Sequence, residues 1–158
     1  MRKIISMTLL FLACLIFIPA VFPHCQIPCG IYNDELRFNM ITEHILTIEK
    51  SMKQIEELSK KPEKNFNQIV RWVLNKEQHA DEIAHIVTYY FLTQRIKLVD
   101  EKDVEANKVY LAKIALLHEL LVYTMKAKQT TNLDLVDKLR VLLKSFRKTY
   151  SGQGFHSH

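Results

Sequence analysis

Four stretches of the chain carry apolar residues at three- and four-residue steps, the spacing that lines up one face of an α-helix. The first runs through Met40 or Ile41, Ile45, Ile48, Met52 and Ile55 and ends at Lys60-Lys61-Pro62. The second takes in Ile69, Val73, Ala80, Ile83, Val87 and Tyr90, broadened by Trp72 and Phe91. It fades into Lys97-Leu98-Val99-Asp100, which predicts a helix of about 35 residues, long for a globular protein. The third opens among the acidic residues between Asp100 and Asp103, which suit a positive helix N-terminus. It carries Leu111, Ile114, Ala115, Leu121, Val122 and Met125 and breaks at Gln129-Thr130-Thr131-Asn132. The fourth uses Leu135, Leu139, Leu142, Leu143, Phe146 and Tyr150, with Asn132 as N-cap, and stops at Ser151-Gly152. Four such helices on short links can bury their stripes together as a bundle, most simply up-down-up-down. The expected fold is therefore all-α, with the bundle over 33–151 and a flexible tail over 152–158. Methionines and aromatic residues inside the stripes are expected in the core.

Ahead of the bundle the helical pattern is absent, and two segments of another kind appear. Met1-Arg2-Lys3 followed by the nearly uninterrupted apolar run Ile4 to Val21 has the layout of a secretory signal. Residues 1–23 are read as a leader removed by a processing protease. The competing reading is a retained membrane anchor, because the run approaches the ~20 residues that span a bilayer. Membrane contact is expected only through the uncleaved leader. Val21-Phe22-Pro23 is not a small-x-small cleavage signal, so the bond that is cut stays open. Residues 24–32, His24-Cys25-Gln26-Ile27-Pro28-Cys29-Gly30-Ile31-Tyr32, form the second segment.

Composition changes this picture little. The 158 residues, 48% of them hydrophobic, suit one compact domain, and only three glycines and four prolines interrupt it. Loss of Arg2 and Lys3 with the leader takes two from the formal charge of +5, leaving +3. Lys and Arg alternate with Asp and Glu instead of forming a stripe, which argues against nucleic acid. The mild excess favours approach of a small anion.

Once Cys14 leaves with the leader, Cys25 and Cys29 are the only cysteines. By themselves they fit a disulfide as well as a metal site. Three details favour a metal. If cleavage makes His24 the first residue, its amine, its imidazole and the Cys25 amide join two thiolates within six residues. Pro28 and Gly30 allow the chain to bend back on itself. A planar set of nitrogen and sulfur donors suits Ni(II) or Cu(II) better than zinc, which prefers tetrahedral sites. His44, His79, His85 and His118 fall on predicted helices, where a solvated or hydrogen-bonded histidine is the commoner role.

The run His-Cys-x-x-Pro-Cys-Gly-x-Tyr over His24 to Tyr32 resembles the nickel hook of nickel superoxide dismutases. The four helices and Lys76-Glu77-Gln78 on the second of them agree with that family. The resemblance implies nickel held by the His24 amine, the Cys25 amide and the Cys25 and Cys29 thiolates, with the His24 imidazole axial in the oxidised state. It implies disproportionation of superoxide to dioxygen and hydrogen peroxide by Ni(II)/Ni(III) cycling, Tyr32 over the open face, activation by cleavage before His24, and a homohexamer. The family commonly carries a Glu on the first helix that holds the axial imidazole, where this chain has Met40, with Asn39 and Glu43 nearby. Some members follow Lys-Glu-Gln with an Arg, where this chain has His79.

Two rival functions accompany the enzyme. One is a non-catalytic exported nickel- or copper-binding sensor bundle, motivated by the missing Glu and the His156 and His158 tail. The other is a secreted interaction module stapled by a Cys25–Cys29 disulfide. The leader suggests export to a periplasmic or extracellular space. The alternative is a cytoplasmic protein in which the extension serves only as a maturation pro-peptide.

Overall fold

A computed structural model describes residues 33–152, so the leader, the hook and the tail from residue 153 onward lie outside the described residues. Helix α1 spans Asp34–Leu58. It starts a turn and a half ahead of its apolar stripe because Asn33 caps it, its side-chain oxygen accepting from the amides of Glu35 at 2.8 Å and Leu36 at 3.4 Å. Pro62 then opens α2, Pro62–His85, where its missing N–H costs nothing.

These 24 residues continue without a break into ten more, Ile86–Arg95, wound in the wider π form. A five-residue backbone bond marks the change, the Ile96 amide donating to the Phe91 carbonyl at 2.9 Å, while the Thr93 hydroxyl and Gln94 side-chain amide cap the Thr88 and Tyr89 carbonyls at 2.7 and 2.8 Å. The expected length of the second helix is matched; its winding is not visible in the apolar spacing. Helix α3 covers Val104–Lys128, capped by Asp103, whose carboxylate accepts from the Ala106 amide at 3.0 Å. Helix α4 covers Asp134–Ser151. Leu133 directly precedes it, while the expected cap Asn132 accepts from the Asp134 amide at 2.9 Å.

The helices form the expected four-helix bundle. Cross-links fix its directions: Glu35 at the start of α1 meets Arg147 near the end of α4, and Asp81 on α2 meets Lys128 at the end of α3. Neighbouring helices therefore run antiparallel. The core joins Phe38, Ile41, Ile45, Ile48 and Met52 of α1 to Ala80, Ile83, Val87 and Phe91 of the second helix, Leu117 and Leu120 of α3, and Leu139 and Phe146 of α4. At one end the Phe38, Phe91, Phe146 and Tyr150 rings pack together, with centroids 5.0 to 5.8 Å apart.

Three expected stripes need correction. On α3 the core-facing residues are Lys113, Leu117, Leu120, Thr124 and Ala127, whereas Leu111 and Met125 are 56% and 52% exposed and Ala115 is also exposed. The helix is apolar on more than one side, and polar residues sit on its inner face. Lys113 qualifies because its ammonium lies over the Tyr150 ring, 5.4 Å from the centroid. On α4, Val136 takes the buried place expected for Leu135, which is half-buried. The early part of α2 also carries less core than its periodicity suggests. Ile69, Trp72 and Val73 are half-buried, and Phe66, Val70 and Leu74 stand exposed at four-residue steps.

Candidate metal centre

The expected site residues His24, Cys25, Cys29 and Tyr32 lie outside the described residues. What the structure supplies is the surface to which the hook is joined. Among the described residues no group of three or more His, Cys, Asp or Glu is arranged to hold a metal ion. His118 is exposed, and His85 stacks on Tyr89 with centroids 4.6 Å apart.

Two residues past Tyr32, Asp34 is buried at 6% exposure. One carboxylate oxygen accepts from Arg95 Nη2 at 2.6 Å and from the Tyr150 hydroxyl at 2.8 Å; the other accepts from the Tyr90 hydroxyl. Arg95 Nε also donates to the Tyr150 oxygen at 3.3 Å. Burial alone would push the Asp34 carboxyl up, but the hydrogen bonds from Arg95, Tyr90 and Tyr150 and the guanidinium charge outweigh it and hold the group below the usual carboxylate range. Burial and the Asp34 carboxylate together push the Tyr150 hydroxyl up to about 12. The π-wound stretch contributes Tyr90 and Arg95 and the end of α4 contributes Tyr150, so the first residue of α1 is tied to two other helices.

One helical face further on lies a second polar contact. Met40 is half-buried, with its sulfur 3.1 Å from Arg37 Nη1, and Asn39 and Glu43 are exposed. A turn beyond Met40, His44 meets His79 of α2, with the two Nδ1 atoms 2.8 Å apart. His44 Nε2 is shielded from solvent and has no hydrogen-bond partner among the described residues. Burial, reinforced by the neighbouring His79, holds His44 below the ordinary histidine range, against the opposite pull of Glu82 and Glu43. Sequence reasoning singled out His79 but not its pairing with His44, which lies 35 residues away in the chain.

Lys76, also singled out in the sequence, plays a different part. Buried at 3% exposure, its ammonium donates to the carbonyls of Ala127 at 3.0 Å, Lys128 at 2.5 Å and Thr130 at 3.0 Å. These are the acceptors that the end of α3 leaves without helical partners, and a cation there also suits the negative helix terminus.

The model of the nickel-containing superoxide dismutase family matches residues 19–153, spanning the His24–Tyr32 segment and the whole bundle. The chain belongs to the nickel-containing superoxide dismutase family. No curated protein and no solved structure gives a significant match. Membership makes this superoxide dismutase an oxidoreductase with superoxide as substrate and nickel as cofactor. It does not favour the non-catalytic metal-binding bundle. The residues present fit the metal. Two thiols and an imidazole lie within six residues of the hook, to which an amine would be added if His24 were the first residue.

Proposed function

We propose that His24, Cys25 and Cys29 hold the nickel of this superoxide dismutase, through the His24 amine and imidazole, the Cys25 amide and thiolate, and the Cys29 thiolate. The observation that carries this is the intact His24–Tyr32 segment inside a family match that runs from residue 19 through the bundle. Bound nickel supplies a one-electron couple between Ni(II) and Ni(III), which anionic thiolate and amide donors make accessible. Two superoxide ions and two protons become one dioxygen and one hydrogen peroxide. The protein must hold its thiolates deprotonated, admit a small anion and exclude larger reductants. Tyr32 does the last two, its hydroxyl hydrogen-bonding substrate or water at the open face. The +3 charge left after cleavage favours the anion's approach. Cys25→Ser and Cys29→Ser are each expected to abolish both nickel binding and turnover. Tyr32→Phe should keep the metal and alter turnover. Full activity in either serine variant would refute the ligand assignment.

Activation would require proteolysis before His24, because an added residue converts the amine into an amide of different basicity and direction. The basic start and apolar run of residues 1–21 support export. N-terminal sequencing of protein from the extracytoplasmic fraction should return His24. Recovery of that species only from the cytoplasm would instead identify a maturation pro-peptide.

The proposed homohexamer is supported by two outward apolar rows. Phe66, Val70 and Leu74 follow one another on α2, and Leu111 and Met125 lie on the outer side of α3. Solvent-facing rows of this kind need a partner surface. Sedimentation should give six times the mass of the processed chain, and Phe66→Lys with Leu74→Lys should lower that mass.

A further inference from the structure

The π form is rare and seldom longer than one turn, yet here it runs for ten residues, Ile86–Arg95. Its use follows from what it brings together. Along an α-helix five residues carry a side chain about 140° past a full turn, so Tyr90 and Arg95 would face different ways. Where bonds run between residues five apart, as from the Ile96 amide to the Phe91 carbonyl, such residues come to lie over one another. The Arg95 guanidinium accordingly sits over the Tyr90 ring, 5.8 Å from its centroid, and both side chains reach Asp34. Arg95 Nη2 donates to one carboxylate oxygen at 2.6 Å and the Tyr90 hydroxyl to the other. Tyr150 of α4 completes the cradle at 2.8 Å. Arg37, in the first turn of α1, lays its guanidinium over the same Tyr90 ring, 5.3 Å from the centroid.

A single ion pair would hold the start of α1 close to its neighbours but leave it free to roll about its own axis. Three donors from two other helices, divided between both oxygens of one carboxylate, fix that rotation as well. Asn33 then sets the direction in which the chain enters: extended at φ −84° and ψ 122°, it caps the helix with its own side chain. Glu35 shows the ordinary alternative, a half-exposed carboxylate that pairs with Arg147 at the surface. Resting on the hook assignment above, we infer that Asp34, Tyr90, Arg95 and Tyr150 are positioning residues for the nickel centre: the π winding delivers Tyr90 and Arg95 to Asp34, and the clamp so formed holds the start of α1, two residues past Tyr32, at one rotation and in one direction. Each acts through the start of α1.

The test uses protein beginning at His24 and compares Arg95→Met, which keeps the stem and removes the guanidinium, with Lys76→Met, a control that loosens the end of α3 instead. In nickel-free protein, amide exchange over residues 35–38 should rise about tenfold in Arg95→Met, with the later turns of α1 unchanged, and should not move in the control. Loaded with nickel and oxidised, Arg95→Met should keep one nickel per chain and show a changed nitrogen hyperfine splitting. Its turnover should fall about tenfold, well inside the loss that a small misplacement of reacting groups causes. Arg95→Lys keeps the charge but not the fork that reaches both Asp34 and Tyr150, and it should recover part of each change. Should Arg95→Met fail to fold, Tyr150→Phe removes a single donor and should shift the same readouts by less. Unchanged exchange over residues 35–38 would overturn the clamp. Raised exchange with an unaltered nickel spectrum and turnover would overturn its positioning role and leave the hook standing. The same spectral change in Lys76→Met would reduce the effect to general loosening of the fold and overturn that role too. Wild-type protein that takes up no nickel would overturn the hook assignment, and the positioning role with it.

Discussion

Two of the polar clusters between the described helices are finished to different degrees. Around Asp34 every strong group is paired: Arg95, Tyr90 and Tyr150 converge on a single carboxylate. At His44 the pairing stops halfway, with Nδ1 engaged by His79 and Nε2 left over. A saturated buried cluster holds the fold together, since each member would pay for losing the others. An unsaturated one adds little to the stability of the bundle. The first cluster therefore anchors the start of α1, two residues past Tyr32.

The sharpest way to break this contrast is Asp34→Ala, which strands a guanidinium and two hydroxyls. It should cost about 3 kcal/mol in urea unfolding, the low end for breaking a buried pair because Arg95 is one-third exposed. A loss under about 1 kcal/mol would mean that the cluster is ornamental. Lys76→Met, which leaves the carbonyls of Ala127, Lys128 and Thr130 without their shared donor, should cost about 2 kcal/mol. It should also raise amide exchange at the end of α3 more than elsewhere.

Acid sharpens the same comparison. The folded Asp34 carboxyl titrates below its unfolded value, so its contribution is complete above the ordinary carboxylate range and is lost as pH falls through the lowered folded value. Wild-type stability should drop over that acidic window, and Asp34→Asn should flatten the drop. An unaltered pH profile in the variant would remove Asp34 from the account. The smallest effect is expected at the unfinished cluster. In metal-free protein His44→Phe should change unfolding free energy by less than about 1 kcal/mol, because the bond lost to His79 is offset by removal of an unpaired nitrogen. A loss as large as that of Asp34→Ala would show His44 to be structural.

How much of this was legible in the sequence follows from how local each signal is. Helix ends were readable because Pro62, Asp103 and the Gln129–Asn132 break act within a few residues. The face of α3 was not, since Leu111, Ala115 and Met125 form a plausible stripe while Lys113 and Thr124 disguise the true one. The π winding escaped because Ile86, Val87, Tyr90 and Phe91 satisfy ordinary helical spacing equally well. The donor set proposed for the hook is compressed into His24 to Cys29, outside the described residues, and rests on the sequence and the family match. The His44–His79 contact could not be read, because the two residues meet only when α1 and α2 fold against each other.

The central claim is that nickel chemistry depends on a free amine at His24. The most direct measurement compares nickel content and superoxide turnover for protein beginning at His24 and for protein with one extra residue in front of it. The account predicts one nickel per chain and rapid turnover in the first, with turnover lost in the second. Equal activity in both would contradict it.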